Sequence, residues 1–299
     1  MKKLSFSSFL WVAFYVAFVW ACQQENITKT ASLAQSKQAA QDNTQIVAAT
    51  QSVMSITASA MGQNSALGGR IADGDQSDEN DDDETACKPS IKHTFARDTT
   101  HVDTVIYTGS VTIDYGDGST CTDSTRRRTG KVTDSFVYTV SFKDSITFSS
   151  TETITFDAFH KDSTQVDGTI VIKSSSKTAT TVEAKDAKIT YKDGTFASWN
   201  GILTYNFEKG IGRHWRGKTI KITGSLTGTT RAGLAFTATI TKEIVYQYGC
   251  FSKHKFIPVS GTVEVVVGGA TSTIDYGDGT CHKDLKIEAD GETSEHSND

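Results

Sequence analysis

From Cys87 onward the chain alternates apolar and polar residues in one short segment after another. The segments are DTVIYTGSVTIDY, DSFVYTVSFKDSITF, ETITFDAF, QVDGTIVIK, DAKITYKDG, GILTYNF, KTIKITGSL, LAFTATITKEIVYQY and SGTVEVVV. A period of two puts every second side chain on one face of an extended backbone, so each segment reads as a half-buried strand. Gly, Asp, Ser and Asn bound the segments, and few intervals between them could hold a helix. This pattern predicts an all-β fold: a large antiparallel meander, closed as a sandwich or open barrel or left as a long twisted sheet. The β domain is expected over residues 87–290, with 291–299 (GETSEHSND) as a disordered tail.

The N-terminus reads differently. Lys2 and Lys3 precede the apolar run LSFSSFLWVAFYVAFVWA, which ends on a small residue directly before Cys22. A basic start, an apolar stretch and a small residue at the boundary are the parts of an export signal, assigned to residues 1–21. The Val19-Trp20-Ala21-Cys22 sequence resembles a bacterial lipobox, with Trp20 where a small residue is usual. The resemblance implies that the thiol of Cys22 carries a lipid and becomes the new N-terminus. The chain is then a membrane-anchored protein of the bacterial cell envelope, periplasmic or on the outer surface.

Residues 22–86 are expected to form a tether. Within it Ile46, Ala49, Val53, Ile56 and Ala60 recur at three- and four-residue steps, widened by Val47, Met54 and Met61, which predicts one N-terminal helix over 32–61 without a strong cap. The helix could pack on the β domain or stand free. The acidic stretch DGDQSDENDDDE, residues 73–84, has little apolar surface to offset chain entropy and reads as a charged linker. Its acids at the first, third and twelfth places imitate a calcium loop, but Asp78 stands where such a loop needs Gly.

With Cys22 lipidated, Cys87, Cys121, Cys250 and Cys281 remain, and in an oxidising compartment they read as two disulfides with three pairings open. A repeat bears on the choice. TIDYGDG occurs at Thr112–Gly118 and at Thr273–Gly279, each copy running into a cysteine. Cys87 lies 34 positions before Cys121, and Cys250 lies 31 before Cys281; each interval carries a basic, His-containing stretch and then a Val-containing strand. The simplest reading is one staple per unit, each worth about 3 kcal/mol by loop-closure entropy; pairing across units is the alternative. Asp114, Gly116, Asp117 and Gly118, with Asp275, Gly277, Asp278 and Gly279, read as the tight turn of a hairpin, since Gly and Asp tolerate positive φ. A metal or ligand loop built on those aspartates is the rival. Only the Asp-aromatic-Gly-Asp-Gly core is shared with the polycystic-kidney-disease module, so that resemblance is local.

Chemical sites are sparse. No Gly-x-Ser-x-Gly elbow, Ser/His/Asp constellation or phosphate loop is present, so no catalytic residue, cofactor or metal is assigned. Glu152 with Asp157 and Glu183 with Asp186 are compatible with glycosidase chemistry but not diagnostic. Cys250, His254, Cys281 and His282 could be drawn as a zinc site, against which stand thiol oxidation and the opposite facing of neighbours on a strand. Arg126-Arg127-Arg128 with Lys131 could read phosphate or an acidic glycan, against the simpler reading as a solvated basic loop or edge. A net charge of -5 favours no nucleic-acid partner. Trp199, Tyr205, Trp215 and Arg216 form a candidate glycan platform, against the alternative that the Trp side chains fill a β core.

Motif order across the β region carries one wider resemblance. TIDYGDGSTCTDSTRRRTGKV, TITFDAF, QVDGTIVI, ITYKDGTFASWNG, TGSLTGTTRAGLAFTATI, GCFSKHKFIPVSGTVEVVV and the closing TIDYGDGTCHKDLKIEADG follow one another from about Asp81 to Gly291. The chain resembles a family of uncharacterised Bacteroidetes exported lipoproteins with paired Asp-aromatic-Gly-Asp-Gly…Cys units. The resemblance implies a mostly β, envelope-located lipoprotein and no activity. The expected function is binding or cell-envelope structure, without catalysis; a glycan-binding or glycan-processing role and an adhesin-like protein-binding role are the alternatives.

Overall fold

Ser32 opens the helix with a reciprocal cap. Its N–H donates to Gln35 Oε1 (2.9 Å), and the Gln35 N–H donates back to Ser32 Oγ (3.3 Å). This Ser-x-x-Gln capping box satisfies two helix-end donors and corrects the expectation of a helix without a strong cap. In the computed structural model, residues 31–62, 88–119, 121, 127–161, 163–175, 178–208, 219–247, 258–281 and 284–297 are described. Cys22, the acidic linker, Cys87, Cys250, His254, His282, Trp215 and Arg216 lie outside them.

Helix α1 (Leu33–Gly62) precedes a single antiparallel sheet. Its strands are β1 (Ser90–Asp98), β2 (Thr104–Asp114), β3 (Arg128–Ser141), β4 (Thr147–Lys161), β5 (Thr164–Ser174), β6 (Ala179–Thr190) and β7 (Phe196–Glu208). They continue as β8 (Thr219–Thr229), β9 (Ala235–Gln247), β10 (Pro258–Val267), β11 (Ala270–Asp278), β12 (Asp284–Ala289) and β13 (Glu292–Ser297). Each strand pairs with the next in sequence, so the 13 strands form one uninterrupted meander with β1 and β13 as its edges. Of the three closures open to the sequence, the long curled sheet is the one formed.

The last strand corrects the expectation of a disordered tail. The Asp290-Gly291 turn, with both φ values positive (51° and 76°), folds 292–297 back on β12. Polar side chains do not prevent this, because the ladder is made by backbone groups and β13 has only one neighbour.

Curvature comes from bulges within the strands. Ala158 (φ 48°) and Asp186 (φ 47°) sit where the β4–β5 and β6–β7 registers shift. Each faces a glycine that no other residue could replace without displacing backbone. A Cβ on Gly130 would lie 2.1 Å from the Ala158 carbonyl oxygen, and one on Gly168 would lie 2.5 Å from Ala187 Cα. Bulges add local twist and bend a sheet, and here they bend it round the helix.

α1 is therefore part of the core rather than a free tether. Ala39, Ala40, Ile46, Val47, Val53 and Ile56 are buried in one cluster with Val111, Ile154, Trp199, Ile222, Val265 and Ile287 of the sheet. Along the helix, successive partners are the carbonyl of Gly268, then Glu292, Arg231, Tyr191 and Lys161. All five stand at strand ends on the same rim of the meander, so the helix crosses the strands along that rim.

Candidate functional site

Where α1 passes β4, β5 and β6, the two layers do not fill the space between them. Ala48 and Ala49 present only methyl groups there, and a groove of about 280 Å³ remains. Its floor is apolar: Val53, Phe159, Val166 and Ile189 are all buried. Its border is polar, formed by Gln45 and Ser52 of the helix, Lys161 at the end of β4, and Tyr191 just after β6.

The border groups are held in place. Lys161 Nζ donates to Ser52 Oγ (3.1 Å), and among the described residues no carboxylate lies within ion-pair distance of that ammonium. The Tyr191 hydroxyl donates to Gln45 Oε1 (2.7 Å), and the Arg231 guanidinium lies 4.2 Å from the centre of its ring. Burial, with a contribution from Asp42, pushes the Tyr191 phenol up to about 12, so it stays neutral and keeps its proton to donate. An apolar floor with a few fixed polar groups at the border is the usual make-up of a small-molecule site, and this one is at the small end of the range.

A second cluster lies inside the curl. Asp134 of β3 faces inward between Val132 and Phe136, fully enclosed, and neither carboxyl oxygen has a hydrogen-bond partner among the described residues. Glu152 on the neighbouring strand accepts from the Tyr138 hydroxyl (3.1 Å). Burial, reinforced by the nearby Glu152, pushes the Asp134 carboxyl up to about 7. Burial likewise raises Glu152, partly opposed by the Tyr138 hydrogen bond. Asp134 and Tyr138 are buried, and Glu152 is partly buried beside them.

The structure separates residues that the sequence placed together. Glu152 faces in, whereas Asp157, five positions on, is exposed. Glu183 pairs with Lys185 on the outer face (3.4 Å), and Asp186 is taken up by a bulge, its N–H donating to Asn200 Oδ1. Trp199 and Tyr205 are 2% and 3% exposed, which corrects their assignment to a surface platform: they occupy inward positions of β7 and fill the core. Arg128 is buried as well, stacked 5.7 Å from the Tyr115 ring centre, so the basic run is not wholly solvated. Among the described residues no three His, Cys, Asp or Glu side chains gather as a metal site.

Both TIDYGDG copies adopt the same local device. Asp114 Oδ1 accepts from the Gly116 N–H and Asp275 Oδ1 from the Gly277 N–H; Asp117 and Asp278 likewise accept from Ser119 and Thr280. These aspartates are occupied by their own backbone turns. Tyr115 and Tyr276 turn inward and are buried. The tight hairpin expected of the first copy is not formed, because β3 starts only at Arg128. The two copies also stand on opposite rims, the first between β2 and β3 beside the helix, the second between β11 and β12.

Comparisons with protein families, with curated proteins and with solved structures find no match to this chain.

Proposed function

We propose that this chain is a lipid-anchored binding protein of the bacterial cell envelope, without catalytic activity, which takes a small ligand in the groove between α1 and the ends of β4–β6. The observation that carries this reading is the groove itself: a buried apolar floor bordered by Lys161, Ser52, Gln45 and Tyr191. Support for the anchor is the basic start, the apolar run and Cys22. The test has two arms. Growth with an alkyne-bearing fatty acid should label the wild type and leave Cys22→Ser unlabelled. Thermal unfolding of the full chain against a panel of glycans, acyl carboxylates and peptides should show a rise in Tm with at least one class. Equal labelling of both proteins would overturn the anchor; a panel with no shift would overturn the binding role. A second reading has one observation in its favour. β1 is an open edge with Phe95 41% exposed, as β-augmentation by a protein partner requires.

Disulfide pairing within each unit belongs to the same proposal. Ser90, three residues after Cys87, stands opposite Asp114, on the rim that holds Cys121. Gln247, three residues before Cys250, ends β9 on the other rim, where the Gly279 N–H donates to the Val259 carbonyl close to Cys281. Among the described residues no two sulfurs stand at bonding distance, the proposed partners Cys87 and Cys250 lying outside them. Peptide mapping without reduction should recover Cys87 linked to Cys121 and Cys250 linked to Cys281. A cross-linked peptide joining the two units would contradict this.

A further inference from the structure

We infer that the groove ligand is a small amphipathic anion, a short acyl or aryl carboxylate whose apolar body lies on Phe159, Val166 and Ile189 and whose carboxylate meets Lys161. This deepens the binding reading and rests on it. Three observations select the class. The floor is apolar and buried, so the part of the ligand that enters must be apolar, since a polar group there would lose its water without replacement. Among the described residues the cation at the border meets the Ser52 hydroxyl and no carboxylate, so an incoming anion supplies its missing charge complement. The other basic side chain nearby, Arg231, is already committed to Asp42 (2.7 Å) and to the Tyr191 ring, which leaves Lys161 as the group able to meet an anion. The volume of about 280 Å³ limits the apolar body to a short chain or a single ring.

Hydrogen bonding sharpens the fit. When a carboxylate displaces Ser52 from Lys161, the serine hydroxyl is freed to donate to the second carboxylate oxygen. The Gln45 amide, oriented by Tyr191, stands on the same border. Sugars do not match this site, because most of their hydroxyls would have to be buried against Phe159 and Val166 unpaired.

The probe is hexanoate, titrated into the full chain by calorimetry, with hexanamide as its neutral isostere. Hexanoate should bind, hexanamide should bind about tenfold more weakly, and Lys161→Gln should weaken hexanoate by about the same factor while leaving hexanamide unchanged, as loss of one charge-assisted contact predicts. Ala48→Trp, at an exposed helical position, should fill the groove and abolish binding of both, with Tm preserved as the check on folding. Equal affinity for hexanoate and hexanamide, or for wild type and Lys161→Gln, would overturn the inference, as would no binding throughout the millimolar range. The two failures are separable: if another class in the ligand panel raises Tm and Ala48→Trp removes that effect, the groove is a site and only the ligand class is wrong.

Discussion

Asp134→Asn is expected to stabilise the protein at pH 8 and to change little at pH 4. The folded state holds the Asp134 proton more tightly than the unfolded chain does, since the carboxyl is raised from 3.8 to about 7 by burial and by Glu152. Between those values the native state binds more protons, so wild-type stability falls as pH rises and the loss is complete above about 7. At about 1.4 kcal/mol for each unit, the penalty at pH 8 is on the order of 4 kcal/mol. The asparagine variant has no such charge to desolvate and should escape most of it. The groups facing Asp134 are Glu152, also raised, and Tyr138, raised too and hydrogen-bonded to Glu152, so a smaller slope remains in the variant. Urea unfolding at several pH values measures this. Parallel stability curves for the two proteins would show that Asp134 ionises freely in the folded state, contrary to its burial.

That cluster shows how far the sequence could be read. VTDSFVY places Asp134 between Val132 and Phe136 at every second position, so period-two alternation alone marks it as inward. The same rule would have parted Glu152 from Asp157, an odd number of residues apart. Strand existence, the meander and the helix stripe follow from local periodicity and were legible. The direction of curl was not, because it depends on Gly130 meeting Ala158 and Gly168 meeting Ala187, backbone contacts that strands make only once paired. The groove was hidden for a similar reason. Its border residues Gln45, Ser52, Lys161 and Tyr191 are ordinary surface letters in three separate segments, and only the crossing of the helix over three strand ends brings them together. Trp199 misled because a Trp beside Asn200 and Gly201 looks like an exposed platform, whereas its place in the β7 alternation puts it inside.

Arg231→Met is expected to cost about 3–5 kcal/mol, the usual consequence of leaving a buried charge without its partner. Asp42 lies on the buried side of α1 at 0% exposure, and Arg231 reaches it from the β8–β9 turn with both its backbone N–H (3.1 Å) and Nε (2.7 Å). Gln38, one helical turn before, adds a donor at 3.0 Å but no charge. The same substitution removes the guanidinium from the Tyr191 ring, so the loss falls on both the helix and the groove border. Adding Asp42→Asn to Arg231→Met should recover more than half of the loss, because the stranded carboxylate is then gone. Lys37→Ala is the control. Its ion pair with Glu292 joins the same helix to β13, but with side chains 25% and 64% exposed, and its removal should cost less than about 1 kcal/mol. Chemical unfolding followed by circular dichroism measures all three. If Arg231→Met costs no more than Lys37→Ala, the helix is not clamped through Asp42. If it carries the expected cost and helix and sheet still unfold together, the segment before the sheet is a working part of its core, and a fragment beginning at Cys87 would expose Val111, Ile222 and Val265 to water.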